Sequence, residues 1–139
     1  MFLIDTNVIS ELRNPRIADS SVLAWAESLH RNDWYLSAIT ILELERGALR
    51  AARKDERKGA MLISWLKDRI MPEFSGRILP VDMAVALRCA ALHVPDPRPE
   101  RDAMIAATAL VHGLTVVTRN IGDFANCGAP TLDPWAFQR

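Results

Sequence analysis

The sequence predicts an α/β fold, with a central, mostly parallel sheet of four to five short strands and helices on both faces. Three observations predict it. Short apolar runs alternate along the chain with longer stretches of helical periodicity. Strands separated by helices return by crossover connections, which pair them in parallel. The chain has 139 residues, enough for one domain with its own core and too few for two.

Phe2-Leu3-Ile4 reads as a buried strand, and Asp5 and Thr6 after it are both helix-capping types. A short helix follows from Asn7 to Arg13 and stops near Asn14-Pro15. Asp19-Ser20-Ser21 opens a second helix with Val22, Trp25, Ala26 and Leu29 on one face. Tyr35-Leu36-Ser37 is a second strand. A helix runs from Ala38 to about Lys54, with Ile39, Leu42 and Leu49 expected inward. Another runs from Asp55 to Ile70, with Met61, Leu62, Trp65 and Leu66 in contact, and Met71-Pro72 is expected to break it. Ser75-Gly76 turns the chain into a third strand, Arg77 to Val81, which Pro80 helps to end. Asp82 caps a helix reaching about His93, and the proline-rich stretch Val94 to Pro99 is a rigid loop. Helix Glu100 to His112 ends at Gly113, and Leu114 to Val117 is a fourth strand. Thr118 to Asn126 is a polar loop, and Pro130 to Leu132 completes the set as a short strand.

The composition narrows the function classes. Lys and Arg together number 17, as do Asp and Glu, so attraction to a polyanion would have to come from local patches. The two cysteines, Cys89 and Cys127, lack the close spacing of a zinc ribbon or a redox pair, and Cys89 reads as a small core residue. The N-terminal MFLIDTNV meets an acid too early for a signal peptide, and no apolar run approaches the ~20 residues of a membrane helix. A reducing cytosol is the expected compartment.

In open parallel sheets, ligands bind beyond the carboxyl ends of the strands. Asp5 follows the first strand directly, and Asn120 and Asp123 follow the fourth. Asp102 opens the helix that feeds the fourth strand. Taken singly, Asp5 is explained as a cap, and Asp102 as an acid stabilised by the helix dipole. Crowded together, such carboxylates repel one another and would be relieved by a hard dication with oxygen ligands. A site of that kind suits phosphodiester hydrolysis.

Four blocks extend this pattern: FLIDTNVISEL at the start, SAITILELERG in the third helix, RDAMIAATAL in the penultimate helix and LTVVTRNIGDF after it. In order and spacing they resemble a PIN domain of the VapC toxin type, across essentially the whole chain. The resemblance implies a three-layer α/β/α fold and an Mg²⁺- or Mn²⁺-dependent endoribonuclease. It also implies a VapB-type antitoxin partner and a homodimer. It places the acidic site on Asp5, Glu43 and Asp102, with a fourth contribution from the loop holding Asn120 and Asp123.

Glu43 and Glu45 lie about 200° apart around a helix, so one of them faces the site. The family pattern T-x-x-E-L-x-x-G selects Glu43, between Thr40 and Gly47. On this reading Asp5 and Asp102 hold the metal, and Glu43 holds or orients the attacking water. Thr6, Thr118 and Asn120 support them. Asn120 and Asp123 share the fourth position. By resemblance the products would carry a 5′-phosphate and a 3′-hydroxyl.

Arg119 and Arg46 are the expected RNA contacts. The basic run from Arg46 to Lys58 either tracks a backbone or is a solvated helical face. Trp25, Trp34, Trp65 and Trp135 are core or interface residues. An aspartyl phosphatase would need an acid at position 7, where Asn stands; there is no phosphate-binding G-x-x-x-x-G-K-[ST], and no nucleophile elbow. The competing class is a binding module that acts chiefly in an antitoxin/DNA autorepression complex.

Overall fold

A computed structural model describes residues 1–139. Five strands form one parallel sheet in the order β3-β2-β1-β4-β5: β1 Phe2–Ile4, β2 Trp34–Ser37, β3 Ile78–Leu79, β4 Thr115–Val117 and β5 Thr131–Leu132. The chain builds outward from β1 through β2 to β3, then returns to the other side of β1 to lay down β4. This reversal opens a crevice between the carboxyl ends of β1 and β4.

Helices cover both faces of the sheet. Successive strand residues point to opposite sides, and the core divides accordingly. Ile4 and Val117 pack with Val8, Val22, Trp25 and Leu36 beneath α1 (Thr6–Leu12) and α2 (Ser20–Glu27). Leu3 and Val116 pack with Ile105, Ala106 and Ala109 of α7 (Glu100–His112) on the other face. Trp25 stacks on Trp34 at 5.0 Å and meets Phe2 edge-on at 5.8 Å, so these two tryptophans are core. Such pairs add about 0.5–1.5 kcal/mol each beyond their buried area. Cys89 is buried with Val85, Ala103 and Ala107 between α6 (Met83–Leu92) and α7.

Asp5, Asp19, Asp55 and Asp82 stand at helix starts as the sequence predicts, and Ser37, expected only as the end of the second strand, also caps the helix that follows it. Asp5, Asp19, Ser37, Asp55 and Asp82 each accept backbone N–H groups at a helix start. Gly113 closes α7 in the left-handed conformation, with φ 66°.

Two expectations need correction. In α3 (Ala38–Lys54) Ile39 is buried, but Leu42 and Leu49 are exposed. The inward stripe runs instead through Thr40, Leu44 and Ala48, four residues apart. Small residues carry it because α4 (Glu56–Trp65) lies close against it: a Cβ on Gly59 would collide with Ala52. Met61 likewise faces outward, while Leu66 is fully buried. The second correction concerns Met71-Pro72, which does not break the helix. The chain passes from α4 through a π-helical stretch, Leu66–Ile70, into α5 (Met71–Glu73). Pro72 sits in the first turn of α5, where a missing N–H costs little. The turn comes after it, with Gly76 at φ 80°.

Candidate active site

The crevice between β1 and β4 gathers the acids. Asp5 leaves β1 as the N-cap of α1, and its own N–H donates to Val117 O of β4 at 2.9 Å. The residue as a whole is 6% exposed. Oδ1 accepts the Thr6 N–H at 2.8 Å, and Oδ2 accepts the Thr118 hydroxyl at 2.8 Å. Asn7 Nδ2 donates more loosely to Oδ2 at 3.4 Å. Burial pushes the Asp5 carboxyl above the usual range; the bonds from Thr118 and Thr6 pull it down, and Glu43 and Asp123 push it up again. The cap explanation for Asp5 is therefore correct and incomplete, because a cap alone needs neither burial nor neighbouring acids.

Glu43 reaches the same crevice from α3. Its Oε1 accepts the Thr6 hydroxyl at 2.8 Å, and Thr40 Oγ1 lies 3.4 Å from that hydroxyl. Glu45 turns away, as the two-residue offset requires, and faces Lys67 at 4.0 Å. Asp102 sits in the first turn of α7, beneath a Pro99 N-cap that supplies no side-chain bond. The helix dipole favours its charged form by less than about one pKa unit. Burial and the charges of Asp5, Asp123 and Glu43 override it, and the Asp102 carboxyl is pushed up to about 6 against a small opposing pull from Arg101. The repulsion among these four acids is the electrostatic signature of the site.

The fourth position holds two residues with different attachments. Asp123 lies exposed in the 3₁₀ segment Ile121–Phe124, close enough to raise both Asp5 and Asp102. Asn120 engages the site through its backbone, its N–H donating to Thr118 Oγ1 at 3.0 Å. Arg119 stands at the rim: its N–H donates to Asn7 Oδ1 at 3.3 Å, and its guanidinium stacks on the Trp135 ring at 4.9 Å. Arg46 is partly buried on α3, one turn beyond Glu43, whereas Arg50, Arg53, Lys54, Arg57 and Lys58 form an exposed face.

Three residues of the site escaped the sequence. Asn7 ties Asp5 to the loop after β4, a contact of 112 residues' separation with no local signature. Arg101 lies with its Nε 3.6 Å from Glu43 Oε2. Arg98 donates to Ala125 O at 2.9 Å and Asn126 O at 3.0 Å, and so ties the proline-rich loop to the segment after Asp123. The proximity of Arg101 to Asp102 in sequence was the only available hint.

An open cleft of about 350 Å³, lined by Glu43, Pro99, Glu100, Arg101 and Asp102, gives access to the acids. A larger hollow of about 510 Å³ near Pro95 and Asn126 contains Asp96 alone among the acids and offers no converging donors. The donors of the acidic crevice are all carboxylate oxygens. That set fits a hard divalent cation such as Mg²⁺ or Mn²⁺, with Asp5 the most sheltered member and Asp123 the most exposed.

The PIN domain profile matches residues 2–128. This chain is a PIN-domain protein. Toxin FitB of Neisseria gonorrhoeae is 41% identical over 97% of the chain and 99% of its own length. The VapC ribonuclease Y4jK of Sinorhizobium fredii is 35% identical over 97% of the chain and 98% of its own. Among solved structures, FitAcB from Neisseria gonorrhoeae superposes with a TM-score of 0.88 at 40% identity, covering 99% of this chain and 100% of that one. A second PIN-family structure, FitAB bound to an IR36 DNA fragment, gives 0.88 at 38% identity, covering 100% of this chain and 99% of that one. No helix of this PIN-domain chain is long and apolar enough to cross a membrane.

Proposed function

We propose that this chain is a single-domain, divalent-metal-dependent endoribonuclease, the toxin of a type II toxin–antitoxin pair. The observation that carries the reading is the convergence of Asp5, Glu43, Asp102 and Asp123 in one crevice, where burial first and the neighbouring charges next push the Asp102 carboxyl up to about 6. A protein with no use for this arrangement would gain stability by losing it. The names of the relatives, a FitB toxin and a VapC ribonuclease, support the same reading.

Asp5 and Asp102 would hold the metal, Mg²⁺ or Mn²⁺, and Asp123 would close the site from the loop. When bound, the cation neutralises the acids and polarises the scissile phosphate. Glu43, one oxygen steadied by Thr6, would turn toward the cation and hold or orient the attacking water there. Thr118 fixes the rotamer of Asp5, and the Asn120 N–H fixes Thr118. Arg119 and Arg46 would guide the RNA backbone into the cleft. The relatives solved as FitAcB and as FitAB on DNA support a VapB-type antitoxin partner; the homodimer rests on the family resemblance alone.

Incubating purified protein with bulk RNA in Mg²⁺, and separately in EDTA, tests this. Cleavage in Mg²⁺ that EDTA abolishes is expected. Intact RNA under both conditions, together with tight binding to an antitoxin, would instead favour a module that acts only within the complex.

A further inference from the structure

We propose that Arg101 contacts the RNA directly: its guanidinium, parked on Glu43 in the free protein, moves onto a backbone phosphate when Glu43 turns to the metal. The inference rests on the metal-dependent nuclease reading and deepens it.

The placement comes first. Arg101 occupies the first turn of α7 beside Asp102, and it is the one basic residue lining the cleft. Its side chain is 43% exposed, so a ligand in the cleft can reach it. Three other basic residues hold contacts elsewhere. The Arg119 guanidinium stacks on Trp135, and Lys67 faces Glu45. Arg98 is fixed on two carbonyls.

The partnership is built to exchange. Glu43 has one oxygen anchored by the Thr6 hydroxyl at 2.8 Å, whereas its other oxygen meets Arg101 Nε only at 3.6 Å. That is an ion pair without a hydrogen bond, and partly exposed pairs of this kind are worth about 0–1 kcal/mol. A dication competes for the same carboxylate far more strongly. The charge balance agrees. Asp5, Glu43, Asp102 and Asp123 outweigh one guanidinium, so a phosphate entering the cleft meets net negative charge unless a metal and a free cation are both present. A guanidinium released from Glu43 offers a planar fork that matches phosphate oxygens.

The rival role is a clamp that merely keeps Glu43 in place. The two roles predict opposite signs for metal affinity. A parked cation competes with the metal, so its removal tightens metal binding. A clamp preorganises a carboxylate that serves the metal, so its removal weakens metal binding.

The test uses the whole chain as wild type, Arg101→Ala and Arg101→Lys. Mn²⁺ affinity is measured by calorimetry. Binding of a labelled single-stranded RNA is measured across a KCl series with Ca²⁺ replacing Mg²⁺, and cleavage is followed in Mg²⁺. Arg101→Ala is expected to bind Mn²⁺ about two- to fivefold more tightly, from the loss of one nearby positive charge. Its RNA affinity should fall, and the slope of log affinity against log salt should flatten by about 0.7, the value for one lost phosphate contact on a single strand. Arg101→Lys should restore the salt slope and leave kcat reduced, because an ammonium lacks the fork. Weaker Mn²⁺ binding by Arg101→Ala with an unchanged salt slope would overturn the proposal in favour of the clamp. If wild type binds Mn²⁺ and cleaves RNA while Arg101→Ala behaves identically, the Arg101 assignment alone falls. If wild type neither binds Mn²⁺ nor cleaves, the nuclease reading falls and this inference with it. Melting temperatures check that both variants are folded, and Arg101→Lys keeps the proposal open to refutation if the alanine variant is not.

Discussion

Metal-ligating side chains converge at two places in this protein, and their chemistry differs. At the crevice between β1 and β4, burial and the neighbouring acids push the Asp5 and Asp102 carboxyls up, and Asp5, Glu43, Asp102 and Asp123 offer only hard oxygen donors. Between α6 and α7, Cys89, His93 and Glu100 bring a thiol, an imidazole and a carboxylate within 4.8 Å of one another. By distance alone the second cluster is the tidier metal site. Hydrogen bonding reverses that ranking. The Arg98 N–H donates to His93 Nδ1 at 3.0 Å, so a neutral His93 carries its proton on Nε2. Nε2 is the nitrogen that faces Cys89 at 3.8 Å and Glu100 at 3.5 Å, and it is therefore a donor there. Burial, with Glu100 adding to it, pushes the Cys89 thiol up, which keeps it protonated. The trio is a hydrogen-bonded brace for the proline-rich loop. The acidic crevice, by contrast, has carboxylates in electrostatic excess. Proximity of ligand atoms locates candidates; unrelieved charge and free lone pairs separate a site from a brace.

The largest expected effect comes from neutralising the crevice. Asp5→Asn and Asp102→Asn should each lower RNA cleavage by about a thousandfold or more, the scale of removing a central electrostatic group from an active site. In EDTA, Asp102→Asn should melt at least as high as wild type, by about 2–5 °C, because a carboxylate held at about 6 is a burden when ionised. Thermal melts beside a cleavage assay check both halves, and an Asn variant that loses stability along with activity would contradict the account.

The pH dependence is next in size. The folded pKa of Asp102 lies above the ordinary carboxylate value, so the folded chain holds that proton more tightly than the unfolded one. The stability contribution is complete below about pH 4 and is lost as pH rises through about 6. Metal-free protein should therefore become less stable from this group between those values, and Mg²⁺ should reverse the trend. Metal affinity should move the other way. At pH 5 about a tenth of a group titrating near 6 is ionised, so the Mg²⁺ concentration for half-maximal activity should be about tenfold higher than at pH 7.5. A midpoint independent of pH would count against Asp102 as a ligand.

Thr118→Val should have an intermediate effect. It removes the 2.8 Å donor to Asp5 and strands the Asn120 N–H, with a loss of about ten- to a hundredfold in metal affinity or activity. The smallest effect should come from the brace. His93→Ala should leave the Mg²⁺ midpoint within about twofold of wild type while costing about 0.5–1.5 kcal/mol of stability from the lost Arg98 bond, measured by denaturant unfolding. A shift of the midpoint as large as that of Thr118→Val would erase the distinction between the two clusters.

Much of this was legible in the sequence because the cues are local. Asp5, Asp19, Asp55 and Asp82 mark helix starts readable from type and position, and α3 and α7 have the extents their periodicity implies. Asp5 and Asp102 stand out at a strand end and a helix start, and Glu43 comes from the resemblance to the PIN family. What escaped depends on packing partners. Leu42 and Leu49 were expected inward because they are large and apolar, yet the buried stripe runs through Thr40, Leu44 and Ala48, and α4 packs so close that Gly59 meets Ala52. Pro72 was expected to end a helix, since a π-helical detour that lets it open a new one has no periodic signature. Asn7, Arg98 and Arg101 act through contacts between distant segments, and only the assembled sheet brings those together.

Calorimetric titration of Mn²⁺ into wild type, Asp102→Asn and His93→Ala near pH 6, in two buffers of different ionisation enthalpy, tests the central claim most directly. The account predicts saturable binding with proton release in wild type and His93→Ala, and loss of both in Asp102→Asn. Binding that survives Asp102→Asn, or disappears in His93→Ala, would contradict it.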